Sequence, residues 1–162
     1  MLSPIICWLE PCRFLILHVH SEHTGTSLIQ WFGQYHFLFL HFPIVCALLA
    51  GVAELLYSWT NKEHYGFTAQ FLLFFAAIFS IPTVLAGLAL SHNMTIALWS
   101  TLWWHRTFGI LTLIVSWLAA ILSLWPQHRK IYICFLILLL ICVEIAGDLG
   151  ADMTFEHFHW LP

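Results

Sequence analysis

Charge is what this chain has least of. Its 162 residues include 5 Lys+Arg and 8 Asp+Glu, so 8% of side chains are charged, against about a quarter in an ordinary soluble domain. Such an inventory could hardly cover a surface facing water. The net charge of −3 and the lack of a basic patch interleaved with aromatics argue against nucleic acid as a partner. No CxxC or CxxCH pair joins any of Cys7, Cys12, Cys46, Cys134 and Cys142, so covalent c-type haem attachment and dithiol redox chemistry are not indicated. Cys46, Cys134 and Cys142 sit inside apolar runs and read as small packing residues. No basic n-region opens the chain, and Glu10, Pro11 and Arg13 interrupt its first apolar stretch, so the N-terminus does not read as a signal peptide. No nucleophile–base arrangement stands out, which points away from substrate turnover.

Hydrophobic residues make up 61% of the chain, with 14 Phe, 9 Trp and 4 Tyr, and histidine is in surplus at 11. A membrane-spanning helix needs about 20 apolar residues. Four stretches qualify: residues 37–57, 67–90, 105–125 and 131–151. Short connections between them predict an all-α, polytopic four-helix membrane bundle running up-down-up-down. The transmembrane domain is expected over 37–158 and contacts lipid. Residues 1–36 mix apolar and polar groups and are expected to lie along the interface as a separate segment. A five-span chain that also uses the apolar run 12–20 is the alternative. Trp99, Trp103 and Trp104 mark a membrane–water boundary at the start of the third span. The loops carrying Lys62, Arg129 and Lys130 share one side, which the positive-inside rule assigns to the cytoplasm.

The alternation of direction gathers histidines at the other face. His41 opens the first span, His92 follows the second, His105 opens the third and His157 follows the fourth. His36, with His18, His20 and His23, joins them if the N-terminal segment folds back. Histidine and tryptophan both favour interfaces, so the clustering has a bland explanation. Convergence from several helices of so small a protein points instead to a metal-centred site, since imidazole ligates haem iron, non-haem iron, copper and zinc. Gly109, one turn after His105, and Gly150, on the stripe of His157, leave room for a flat ring or another helix.

Acids form the remaining signal. Glu144, Asp148, Asp152 and Glu156 follow one another at intervals of four along the fourth span, and carboxylates at membrane depth usually face a partner or a wet interior. Glu54 lies 13 residues after His41 and Glu144 lies 13 before His157. At about 1.5 Å per residue both are expected roughly 20 Å from the histidine level, where they could share a proton or a hydrogen-bond network. Asp148 or Asp152 could instead orient a ligating histidine.

His41-Phe42-Pro43-Ile44 leading to Glu54-Leu55-Leu56, the late Thr83-Val84-Leu85-Ala86-Gly87, His105, and Gly147-Asp148-Leu149-Gly150 before His157 together resemble the bacterial membrane family called domain of unknown function 2231. The resemblance covers residues 37–157. It implies a multi-pass protein of the bacterial inner membrane and an association with redox membrane-protein subunits or a cytochrome; the positive-inside rule then makes the histidine-rich face periplasmic. It carries His41, His105 and His157 forward as the histidines to watch. Three functions remain open: a b-type haem (heme b) protein relaying electrons, with His41 and His105 axial and His92 or His157 as substitutes; a copper, iron, zinc or proton handling protein; and a cofactor-free structural subunit.

Overall fold

A computed structural model describes residues 28–154. Helices α1 (Leu28–Gly33) and α2 (His36–Phe39) lead almost without a break into α3 (His41–Thr60). Then come α4 (Glu63–Leu90), α5 (Thr101–Leu122), a 3-10 turn (Pro126–His128) and α6 (Arg129–Thr154). Four helical stretches, Leu28–Thr60, Glu63–Leu90, Thr101–Leu122 and Pro126–Thr154, are long and apolar enough to cross a membrane. The chain is thus a four-helix membrane bundle. Residues 1–27 of the expected interfacial segment, and His157, lie outside the described residues. The segment's last part, 28–36, is largely helical and folds against α4.

The helix ends follow local chemistry. Asn61 closes α3 in the left-handed region (φ 54°), a conformation Asn tolerates through its short polar side chain. The turn to α4 is therefore only Asn61 and Lys62, tighter than the loop expected from the sequence. The Ser100 hydroxyl accepts the Trp103 N–H at 3.2 Å and caps α5. That cap starts the third span four residues ahead of His105, so Trp103 and Trp104 lie within the helix. Helix α4 continues through Pro82.

Each span buries one stripe at helical spacing, and on α3, α4 and α5 the stripes consist largely of small side chains. On α3 it is Pro43, Ala47, Ala50 and Glu54; on α4 it includes Ala69, Leu73, Ala76, Ala77 and Ser80. On α5 it is Thr112, Val115, Ser116, Ala119 and Ala120, and on α6 Tyr132, Leu136, Leu139 and Val143. Large apolar residues such as Phe67, Phe71, Phe75, Ile78 and Leu85 point outward instead. In lipid no hydrophobic force draws helices together, so close approach through small residues supplies the packing. Helix α3 packs along α4, α5 along α6, and α4 bridges the two hairpins. Helices α1 and α2 lean on the end of α4. Gly33 permits this: a Cβ there would stand 2.7 Å from the Leu90 backbone nitrogen.

Candidate functional site

At the end of the bundle where α3 and α5 begin, two histidines face each other. The His36 and His105 rings have centroids 6.1 Å apart and planes at 87°. His36 Nδ1 donates to the Thr83 carbonyl at 2.8 Å, and His105 Nδ1 donates to the Ala146 carbonyl at 2.9 Å. Both rings are half-buried. A carbonyl can only accept, so Nδ1 carries the proton in each ring, and a neutral imidazole then keeps the Nε2 lone pair for a ligand. A backbone acceptor behind the ring is the usual support of a metal-bound histidine.

The two halves are built alike. Gly87 lies four residues after Thr83, and Gly150 four after Ala146. A Cβ on Gly87 would stand 3.0 Å from His36 Cε1 and Nδ1, and one on Gly150 would stand 3.1 Å from His105 Cε1. In a helix the residue at i+4 sits over the carbonyl of residue i, whose first lone pair takes the i+4 N–H. Without a Cβ at i+4 the imidazole reaches the second lone pair. Glycine is therefore the residue that lets each histidine lie flush on the neighbouring helix.

Below His105 the inward stripe of α5 continues through Gly109 and Thr112. A Cβ on Gly109 would meet nothing within 4 Å. Thr112 Oγ1 is buried and has no hydrogen-bond partner among the described residues. Open space one turn below His105 is a feature that a bound ring would account for.

Two other described histidines that the sequence singled out, His41 and His92, lie elsewhere. His41 is exposed, and its Nδ1 donates to Phe37 of the turn before it at 2.7 Å. His105 thus faces His36 and not His41. His92 is exposed in the turn after α4, beside Asn93 Oδ1 at 2.9 Å. Among the described residues no group of three or more His, Cys, Asp or Glu side chains gathers at one point. The spacing signal that pointed to His36 was available: the two runs Thr83–Gly87 and Ala146–Gly150 each pair with one histidine on the preceding helix.

The acids divide between two surroundings. Glu54 is buried at the opposite end of the bundle. Its Oε1 accepts from Arg129 at 2.7 Å and its Oε2 from the Tyr132 hydroxyl at 3.2 Å. Arg129 also donates to Ser58 Oγ at 3.1 Å and lies 4.5 Å over the Tyr57 ring. A cavity of about 300 Å³ opens beside this cluster, lined also by Gln70 and Trp125. Glu144, Asp148 and Asp152 are all exposed on the outer face of α6. They therefore neither meet Glu54 nor support a histidine among the described residues.

An integral membrane protein with a paired-histidine site at one end is the class these features define. The chain matches the family described as a predicted membrane protein (DUF2231) over residues 34–159, and it belongs to that family. The match includes His36, ahead of the resemblance drawn from the sequence. No curated protein and no solved structure matches the chain.

Proposed function

We propose that this chain is a b-type haem membrane protein that relays electrons, with His36 and His105 as the residues that would hold the iron. The observation that carries this is the facing pair, each ring tied through Nδ1 to a backbone carbonyl and each left with a free Nε2. Haem iron takes its remaining ligands from the porphyrin and needs two from the protein. A site with two histidines suits that demand better than a bare copper or zinc site, which draws three or four ligands from side chains. The ring centroids stand 6.1 Å apart, close enough for one group to be shared between the two imidazoles. Gly109 leaves open space one turn below His105.

Haem supplies one-electron chemistry. The residues of this chain would hold its iron from both sides, exclude water with the half-buried helix ends, and tune the potential through the two backbone-supported imidazoles. The electron partner we expect is a redox subunit or cytochrome at the histidine-rich face, on the side opposite Lys62, Arg129 and Lys130. By the positive-inside rule that face is the outer one.

The test is an absorption spectrum with metal analysis of gently solubilised protein. A sharp Soret band with haem close to one per chain is expected. His36→Ala and His105→Ala should each lose or strongly alter it, whereas His41→Ala should leave it unchanged. A colourless protein, or one whose spectrum survives both His36→Ala and His105→Ala, would overturn the proposal.

A further inference from the structure

The histidine pair has a property that the proposed function does not require. The two rings stand nearly perpendicular, at 87°, and each is fixed at two points. One point is the hydrogen bond from Nδ1 to a helical carbonyl, at 2.8 Å for His36 and 2.9 Å for His105. The other is the glycine four residues later, whose missing Cβ opens a notch against the ring edge. The hydrogen bond fixes where the ring nitrogen points, and the notch wall limits rotation about that direction. Helices α4 and α6 hold the notches, so the angle between the imidazoles is set by how those two helices stand relative to each other.

We infer that Gly87 and Gly150 are positioning residues that hold the two histidine rings perpendicular to each other. This rests on the haem proposal and extends it to the electronic state of the iron. The planes of axial imidazoles select which iron d-orbitals they raise. Parallel planes split the pair of π-type orbitals, and perpendicular planes leave them nearly equal in energy. The ferric form then keeps large orbital angular momentum, which appears in electron paramagnetic resonance as a strongly anisotropic low-spin signal with one dominant low-field feature. Parallel planes give a resolved rhombic spectrum instead.

A Cβ at either glycine would fall within about 3 Å of the ring, closer than ordinary van der Waals contact. In Gly87→Ala it meets His36 Cε1 and Nδ1 at 3.0 Å, and in Gly150→Ala it meets His105 Cε1 at 3.1 Å. The ring must shift by a few tenths of an ångström, because the carbonyl beneath it belongs to the helix backbone. Gly51 is the control. A Cβ there meets only the flexible end of Leu140 at 3.1 Å, on the inward face of α3 and away from the pair.

The experiment is electron paramagnetic resonance of the oxidised full-length protein in lipid nanodiscs, with haem content measured on the same sample. The unaltered protein is expected to give the strongly anisotropic signal. Gly87→Ala and Gly150→Ala should keep haem but lose that signal in favour of a rhombic one, while Gly51→Ala should keep both. Absence of haem would overturn the proposed function and this inference with it. Haem with a rhombic spectrum in the unaltered protein would overturn the perpendicular pair alone. An anisotropic signal that persists in both alanine variants would remove the positioning role of the glycines. Because the unaltered protein already tests the angle, a variant that fails to fold does not shield the inference.

Discussion

Replacing Arg129 by methionine should destabilise the bundle more than replacing Glu54 by glutamine, and the two changes together should do less harm than Arg129→Met alone. The Glu54 side chain is 9% exposed and that of Arg129 is 38% exposed, with 2.7 Å between their charged atoms. Two unit charges about 4 Å apart attract by about 4 kcal/mol at an effective dielectric of about 20. Half-exposed pairs realise less, since solvent screens them and ordering the arginine costs entropy. A fully buried pair loses about 3–5 kcal/mol when one partner is removed. With one partner buried and the other partly wet, a coupling of about 2 kcal/mol is expected, or about 30-fold in the folding equilibrium. The asymmetry arises because Arg129→Met strands a buried carboxylate, whereas Glu54→Gln leaves an arginine that water can reach. Glutamine also keeps an oxygen for the Tyr132 hydroxyl. Reversible unfolding of all four proteins of the double-mutant cycle in mixed micelles measures the coupling directly. A coupling below about 0.5 kcal/mol, or a double variant less stable than Arg129→Met, would refute the assignment of this pair as the clasp at its end of the bundle.

Two further substitutions separate folding from cofactor binding. Gly109→Leu places a side chain where a Cβ meets nothing within 4 Å. Cofactor-free protein should tolerate it, with helix propensity alone favouring leucine over glycine by nearly 1 kcal/mol. Haem content on reconstitution should fall several-fold, and full haem loading of that variant would show the space to have another purpose. Gly33→Ala forces a Cβ to 2.7 Å from the Leu90 nitrogen, where backbone rather than a flexible side chain stands in the way. A loss of about 1–3 kcal/mol is expected, as for other overpacked sites, together with weaker haem retention because His36 follows three residues later. Thermal unfolding in detergent measures the first effect and the Soret absorbance the second. An unchanged midpoint would mean that α1 does not bear on α4 as described.

The four spans were legible because length and apolar composition decide them, and the tight corners shifted their ends by only a few residues. Rise per residue gave the position of each polar group along its helix. Direction around the helix axis was where depth alone misled. Successive residues turn by about 100°, so the 13 steps from His41 to Glu54 amount to about 220° beyond whole turns. Glu54 belongs to the buried stripe of Pro43, Ala47 and Ala50, and His41 therefore faces outward however well its depth suits the site. The same rotation separates the acids of α6 from the histidines. Ala146 and Gly150 continue the inward stripe of Tyr132, Leu136, Leu139 and Val143. Glu144 and Asp148 each lie two residues before one of them, about 200° away, and face outward. On α5 depth and direction agree: His105, Gly109, Thr112 and Ser116 follow at intervals of four, three and four, and His105 was found. His36 was named only as joining the cluster if the N-terminal segment folded back, because it precedes the first continuous helix, where α2 gives way to α3 at Leu40 and no single helical phase connects it to Glu54. Its partner runs across the bundle were the surer guide. A glycine four residues after a carbonyl, repeated late in both second helices of the two hairpins, marks where a ring from the helix before can lie against the backbone. Depth then says which histidine is level with it.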